Sequence, residues 1–420
     1  MFLLRRPWFN LRLPAFQSQN YRLYFAGQSL LMIGNFMTQV AILWLIYRLT
    51  NSALLLGVTG FLGQLPVFLL APVSGILADR YNRHHLMLLL QIFGVAVSIA
   101  LTILTFLDWA NLWILLILSM FSGVLKGLDV PIRHAFVSDM VNPAEMSSAI
   151  SLNYAFLNSA RLIGPATGGI LIATLGAGFC FLFDSISYGA AILALGAMQI
   201  TPKPQEYQVN HPLKKLTEGF QYAYRVLPIR VLLVLLALVS LINMSYVTLL
   251  PIFAVKTLAG GAEKLGFLTA SAATGSVLSC LYLSFRRHIV GLDKLIAACP
   301  LTIGLGFIVF SFSHVFWISA LALVVVGWSS KLQVAASNTV LQSIVAENKR
   351  GRVMSFYTMC FMGMAPFGNL LLGSLAHTIG APNTLLLGGG FCIFASCWFV
   401  QYLPVLAKSI QAGKLSNQIV

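Results

Sequence analysis

The sequence predicts an all-α integral membrane protein: twelve transmembrane helices in two pseudo-symmetric six-helix bundles. Composition is the first reason. Of 420 residues, 58% are hydrophobic and 9% charged, where soluble chains carry roughly a quarter charged residues. Segments 86–107, 231–255 and 353–407 contain no Asp, Glu, Lys or Arg, and the last is long enough for two crossings. The second reason is a single long polar interruption, 201–227, holding Pro202, Pro204, Pro212, Lys214 and Lys215. The third is the absence of polar/apolar alternation, which favours helices over an outer-membrane barrel.

Hydropathy and breaker residues place spans at 22–50, 54–78, 86–107, 112–137, 146–174 and 177–199. After the interruption they fall at 229–256, 264–285, 294–313, 315–346, 351–378 and 382–405. The domain reading is an N-terminal arm (1–21), a first bundle (22–199), a linker with an amphipathic stretch (200–228), a second bundle (229–405) and a tail (406–420). Residues 1–16 have arginines and aromatics but no long apolar core, so they read as an interfacial arm rather than a signal peptide. The halves echo each other: Gly164-Pro165-x-x-Gly168 in the fifth span recurs as Ala365-Pro366-x-Gly368 in the eleventh. Such duplication fits a transporter with a cavity between its halves.

The net charge of +15 is unevenly spread. Twenty of the 26 Lys and Arg fall in the arm, the tail, the linker and alternate loops or their edges; only Arg48, Lys256 and Lys264 fall in the opposite loops. That bias predicts a bacterial inner-membrane protein with both termini cytoplasmic, and it argues against a nucleic-acid partner. Six cysteines (180, 280, 299, 360, 392, 397) are scattered through apolar segments without a Cys-x-x-Cys pair, and read as small buried hydrophobes.

One charged knot stands between the second and third spans: Gly75-Ile-Leu-Ala-Asp79-Arg80-Tyr-Asn-Arg83-His84-His85. It resembles the loop 2–3 signature of the major facilitator superfamily, with Asn82 where glycine is frequent and His84 where a second base is usual. The resemblance implies a gate in which Gly75, Asp79, Arg80 and Arg83 latch onto the start of the eleventh span near Arg352, through Asp79 at a helix N-terminus. Gly164-Pro165-Ala-Thr-Gly168-Gly169 resembles the fifth-helix motif of superfamily exporters, which is associated with antiport. It suggests packing against the small residues Ala270–Gly275 of the eighth span. Asn20-Tyr-Arg-Leu-Tyr-Phe, Asp129-Val-Pro-Ile-Arg133 and Asn158-Ser-Ala-Arg161 look like the enterobactin-exporter branch, close to macrolide-efflux proteins. The resemblance implies proton-coupled export of amphiphilic compounds.

Ionisable residues inside spans are costly, and so are functional candidates. They are Lys126, Asp129 and Arg133 in the fourth span, Arg161 in the fifth, Asp184 in the sixth and Lys331 in the tenth. Lys126 and Asp129 stand three apart and can pair, while Asp129, Arg133 and Arg161 suit either a structural gate or substrate contact. Lys126 and Lys331 lie in corresponding spans and could face one cavity, or else snorkel to an interface or pair with Asp129 alone. Asp184 is the best-placed carboxylate for binding a proton, because burial disfavours its charged form; a hydrogen-bonded structural aspartate is the other reading. Four positive groups against two negative predict an anionic substrate such as a siderophore. Multidrug or macrolide efflux, siderophore import and lysophospholipid flipping remain as alternatives.

No Gly-x-x-x-x-Gly-Lys-[Ser/Thr] phosphate loop, His-Glu-x-x-His or Gly-x-Ser-x-Gly occurs, so the expectation is a transporter rather than an enzyme. The expected partners are membrane lipid and a small-molecule substrate, for a chain acting as a monomer. No metal or cofactor is expected beyond a proton gradient.

Overall fold

The computed structural model describes residues 14–200, 221–286 and 291–408, so most of the linker and the ends of the arm and tail lie outside the described residues. Six helices form the first half: α1 (Gln19–Thr50), α2 (Ala53–Arg80), α3 (Arg83–Phe106), α4 (Leu112–Met140), α5 (Met146–Thr174) and α6 (Ala177–Gly196). The second half holds α7 (Leu227–Asn243), α8 (Ala262–Phe285), α9 (Leu292–Phe312), α10 (Phe316–Ile344), α11 (Glu347–Met362), α12 (Met364–Ile379) and α13 (Ala381–Val400). Among the described residues, eleven runs are long and apolar enough to cross a membrane. α5 completes the twelve: its 29 residues are long enough, but its Asn, Ser, Arg and Gly content leaves it less apolar.

Two spans expected to be continuous are broken. The seventh stops as a regular helix at Asn243 and reaches Thr257 through a tight turn at Tyr246–Leu249 and a wide one at Phe253–Thr257. Pro251 sits in that stretch and has no N–H to give a helix. The eleventh is divided at Gly363, three residues before Pro366, whose ring cannot accept an unbroken ladder.

The tight links are set by side-chain caps and by backbone geometry. Asn51 takes the left-handed conformation (φ 48°) to end α1, and Ser52 caps α2 through the Leu55 N–H. Asn82 accepts from the His84 N–H at 2.9 Å, and its φ of −60° explains why a residue other than glycine serves there. Gly176 (φ 99°) joins α5 to α6, and Gly380 (φ 85°) joins α12 to α13. These equivalent corners of the two halves both need a residue that tolerates positive φ.

Alternating helices put the Arg80 loop, the link after α4 and the end of α13 on one side, called here the basic face. The halves share a core that joins them on the opposite face, from Met37–Tyr47 of α1, Leu56, Leu115 and Phe181 to Phe253 and Phe307; within the second half it continues to Leu232 and Phe399 at the basic-face end. A separate core, with Tyr21, Tyr24, Met87, Phe136 and Met140, closes only the basic-face end of the first bundle.

Glycines show how closely the halves meet. A Cβ on Gly57 of α2 would lie 2.6 Å from the Asn369 carbonyl oxygen and 2.8 Å from Gly373 Cα, both on α12. A Cβ on Gly169 of α5 would lie 2.6 Å from the Ala262 carbonyl oxygen and 2.8 Å from Gly266 Cα, on α8. All of these positions lie in the half of the molecule nearest the opposite face. Toward the basic face, a Cβ on Gly75 or Gly351 would meet nothing within 4 Å. The molecule is closed on the opposite face and open on the basic one.

A cysteine pair reads this asymmetry. Disulfide formation needs Cβ atoms about 3.5–4.5 Å apart, so Gly75→Cys with Gly351→Cys stays reduced in the conformation seen here. Oxidation is expected to cross-link the pair only when the basic face closes, as gel mobility under transport conditions would register. Rapid cross-linking in the resting protein would contradict the open basic face.

Candidate functional site

Between the halves lies a cavity of about 130 Å³. α1 lines it with Asn35, Thr38 and Gln39, α3 with Ser98, α4 with Ser119 and Lys126, and α6 with Asp184 and Tyr188. From the second half come Thr248, beyond the end of α7, and Asn369 of α12. Small residues make room for these polar groups. Gly94 of α3 leaves a notch that the Tyr188 ring occupies, and a Cβ on Gly34 of α1 would stand 2.7 Å from Asp184 Oδ1.

Asp184 is 3% exposed. The Ser98 hydroxyl lies 3.0 Å from Asp184 Oδ2 and also 3.0 Å from the Phe181 carbonyl, so its single proton can be given to either. Thr102 and Ser185 hydroxyls meet next to it at 3.3 Å. Lys126 is open to the cavity and lies in the electrostatic field of Asp184, but forms no ion pair or hydrogen bond among the described residues. Asp129, its expected partner, instead pairs with Arg133 at 3.3 Å. The i, i+4 spacing and the longer guanidinium reach favour that choice.

Arg161 and Lys331 form a second group. The Arg161 guanidinium sits 5.7 Å from the centre of the Phe36 ring, and Arg161, Lys331 and Cys280 lie within one another's electrostatic reach. Lys126 and Lys331 therefore stand at different places: the first beside Asp184, the second beside Arg161.

The loop residues are organised within the first bundle. Arg83 donates to both carboxylate oxygens of Asp139 on α4, at 3.1 and 3.3 Å, and to the Ala78 carbonyl at 3.0 Å. His84 hydrogen-bonds through Nε2 to the Leu195 carbonyl at 2.8 Å and stacks on Phe136. Asp79 is exposed on the basic face, and its carboxylate is 3.9 Å from Arg83. In this open conformation it makes no hydrogen bond to α11 among the described residues. Arg350, close to Arg352 at the start of α11, lies 3.8 Å from Glu347.

The fifth-helix motif presents two surfaces. Gly164 and Gly168 receive Phe36 and Met37 of α1, while Pro165 and Gly169 back onto α8 at Gly266. The tightest approach to α8 is thus at Gly266, rather than along Ala270–Gly275. Gly275 is pressed against Val324 and Trp328 of α10. The Asn20–Phe25 segment is a clamp: Asn20 exchanges hydrogen bonds with the Gln199 backbone at 2.8 and 3.2 Å, and the Tyr21 hydroxyl donates to the Ala149 carbonyl at 3.0 Å. Ser98, Gly34, Gly94, Thr248 and Asn369 were not singled out by sequence reasoning. Their signal was a polar or very small residue inside an apolar run.

Comparisons with known proteins agree with this architecture. The profile of the family described as "Transmembrane secretion effector" matches residues 12–417. The staphyloferrin A transporter of Staphylococcus aureus (strain NCTC 8325 / PS 47) is 25% identical over 90% of this chain and 95% of its own. Macrolide efflux protein A of Streptococcus pyogenes is 22% identical over 90% and 96%. The enterobactin exporter EntS of Escherichia coli O1:K1 / APEC is 25% identical over 86% and 85%. Among solved structures, a bacterial homolog of the human lysosomal transporter Spinster, inward-facing and unoccupied, superposes with a TM-score of 0.72 at 14% identity, covering 94% of this chain and 98% of that one. A bacterial homologue of ferroportin, also inward-facing, gives 0.69 at 16%, covering 91% and 98%. With twelve spans in two halves and a matching profile over nearly its whole length, the chain is a membrane transporter, not an enzyme, and belongs to the transmembrane secretion effector family of the major facilitator superfamily.

Proposed function

We propose that the protein is a proton-coupled exporter of an amphiphilic anion, working by alternating access from a bacterial inner membrane. The basic face is cytoplasmic by the positive-inside bias, so the open conformation is the one that loads from the cytoplasm. The observation that carries the substrate class is the charge left over between the halves. In the cavity Lys126 faces Asp184, and Arg133 neutralises Asp129, which leaves Arg161 and Lys331, outside the cavity's lining, as the surplus. A space between the halves with that surplus attracts an anion and repels a lipophilic cation. The staphyloferrin and enterobactin relatives support a siderophore, a metabolite rich in acidic oxygen donors, as the cargo.

Asp184 is the group to which we assign the proton. It is buried, faces the cavity, and is held by a hydroxyl that can turn its own proton either way. Macrolide efflux is the second reading, supported by the relative of that name and by the same carboxylate, which would face a basic drug.

The experiment is a deletion strain grown with and without iron, its secreted metabolites compared by mass spectrometry. An iron-regulated anionic metabolite is expected to fall at least several-fold in the medium and return with the restored chain. An unchanged secreted profile, with increased macrolide sensitivity, would replace the siderophore reading by the drug one.

A further inference from the structure

Arg161 and Lys331 come from different halves and have no acidic partner among the described residues. α8 fixes their relation. On one side Pro165 of α5 backs onto Gly266; on the other Gly327 of α10 backs onto Ala272, where Ser276 also donates to the Gly327 carbonyl at 3.3 Å. Arg161 lies one turn from Pro165, and Lys331 one turn from Gly327, both toward the open basic face. The two cations therefore flank α8 from its two sides, and each lies within electrostatic reach of Cys280, further along that helix toward the basic face. Arg161 is exposed despite lying mid-span, with one face against Phe36.

We infer that Arg161 and Lys331 form a two-cation clamp that binds a polycarboxylate ligand by bridging the two halves of the transporter. This rests on the anionic-cargo reading above and locates the anion away from Lys126 and Asp184. Two like charges on separate bodies oppose their approach when the site is empty. A ligand with at least two carboxylates removes that opposition and gives each half a charge-assisted hydrogen bond. The guanidinium donates to one carboxylate in a bidentate fork, and the ammonium donates to the other as a point charge. Phe36 offers the adjoining apolar wall. A monocarboxylate satisfies one half only, so the clamp selects for at least two acidic groups.

Cys280 supplies the probe. It is part-exposed, Cys180, Cys299 and Cys392 are buried, and Cys360 and Cys397 can be changed to serine. The full chain in lipid nanodiscs is treated with an anionic sulfonate and a cationic ammonium methanethiosulfonate, each normalised to its rate with a free thiol. The anionic reagent is expected to modify Cys280 roughly tenfold faster, as a cleft of one sign concentrates counter-ions. Arg161→Gln and Lys331→Gln should each bring the ratio near unity, while Arg161→Lys and Lys331→Arg retain it and report on folding. Citrate should slow the modification in the parent and not in the glutamine variants. Equal rates in the parent, or a preference that survives both glutamine changes, overturns the clamp. Failure of the export reading looks different: the anion preference persists while the deletion strain secretes an unchanged profile.

Discussion

Gly169→Leu is expected to abolish transport while leaving the protein folded and in the membrane. Gly169 stands where α5 meets α8, and even one added carbon would sit 2.6 Å from the Ala262 carbonyl oxygen. Backbone faces backbone here, since a Cβ on Gly266 would in turn meet the Pro165 carbonyl oxygen and Gly169 Cα, so no side chain at the contact can turn aside. A leucine must therefore drive the halves apart on the opposite face. Overpacking of this kind costs about 1–3 kcal/mol, which shifts a two-state equilibrium by roughly 5- to 150-fold. The conformation closed on the opposite face loses that population to the one open there. Thiol probes added from the opposite face should label a cysteine placed at Thr248, on the cavity wall, faster than in the parent. Gly390→Leu is the control, because a Cβ there meets nothing within 4 Å. Normal transport by Gly169→Leu would show that closure on this face does not depend on the glycine contact.

The fold was legible because a bilayer enforces it. Uncharged runs of sufficient length must be helices, because only a helix satisfies its own backbone hydrogen bonds in lipid. The breaks were less legible. Pro251 and Pro366 were visible, but proline does not always break a membrane helix: Pro131 and Pro165 here lie inside continuous ones. The repeated corners at Gly176 and Gly380 could have been read from Leu175-Gly-Ala and Ile379-Gly-Ala, since each glycine falls between two apolar runs.

The charged groups of the site were legible for the same reason, as few ionisable residues occur within spans. Their partners were not. Asp129 had Lys126 three residues before it and Arg133 four after it, and the sequence alone does not rank them; the folded helix gives Asp129 to Arg133. Ser98 lies on another helix from Asp184, 86 residues away. Its clue was the face Gln91, Gly94, Ser98, Leu101 and Thr102, on which polar and small residues return at helical spacing. His84 and Asn82 departed from the expected loop pattern, and packing supplies the reason: one meets the end of α6, the other caps α3.

The second large effect is expected at Asp184. Asparagine matches its shape and keeps an oxygen for Ser98, so Asp184→Asn should fold, while removing the group to which the proton is assigned. Export driven by a proton gradient should fall at least tenfold in proteoliposomes, whereas exchange of labelled for unlabelled cargo, which needs no net proton movement, should persist. Loss of both would make Asp184 a cargo contact or a structural aspartate; retention of both would remove it from the mechanism. Gly34→Ala separates position from charge. Its methyl would lie 2.7 Å from Asp184 Oδ1 and 3.0 Å from Asp184 Cα, pushing an unaltered carboxyl away from α1. If the carboxyl must face both the cavity and Ser98 to carry its proton, Gly34→Ala should weaken driven export more than exchange, as Asp184→Asn does. If any carboxyl at that depth suffices, Gly34→Ala should transport normally while Asp184→Asn does not. The pair of variants thus tests whether coupling depends on the charge alone or on the notch that holds it.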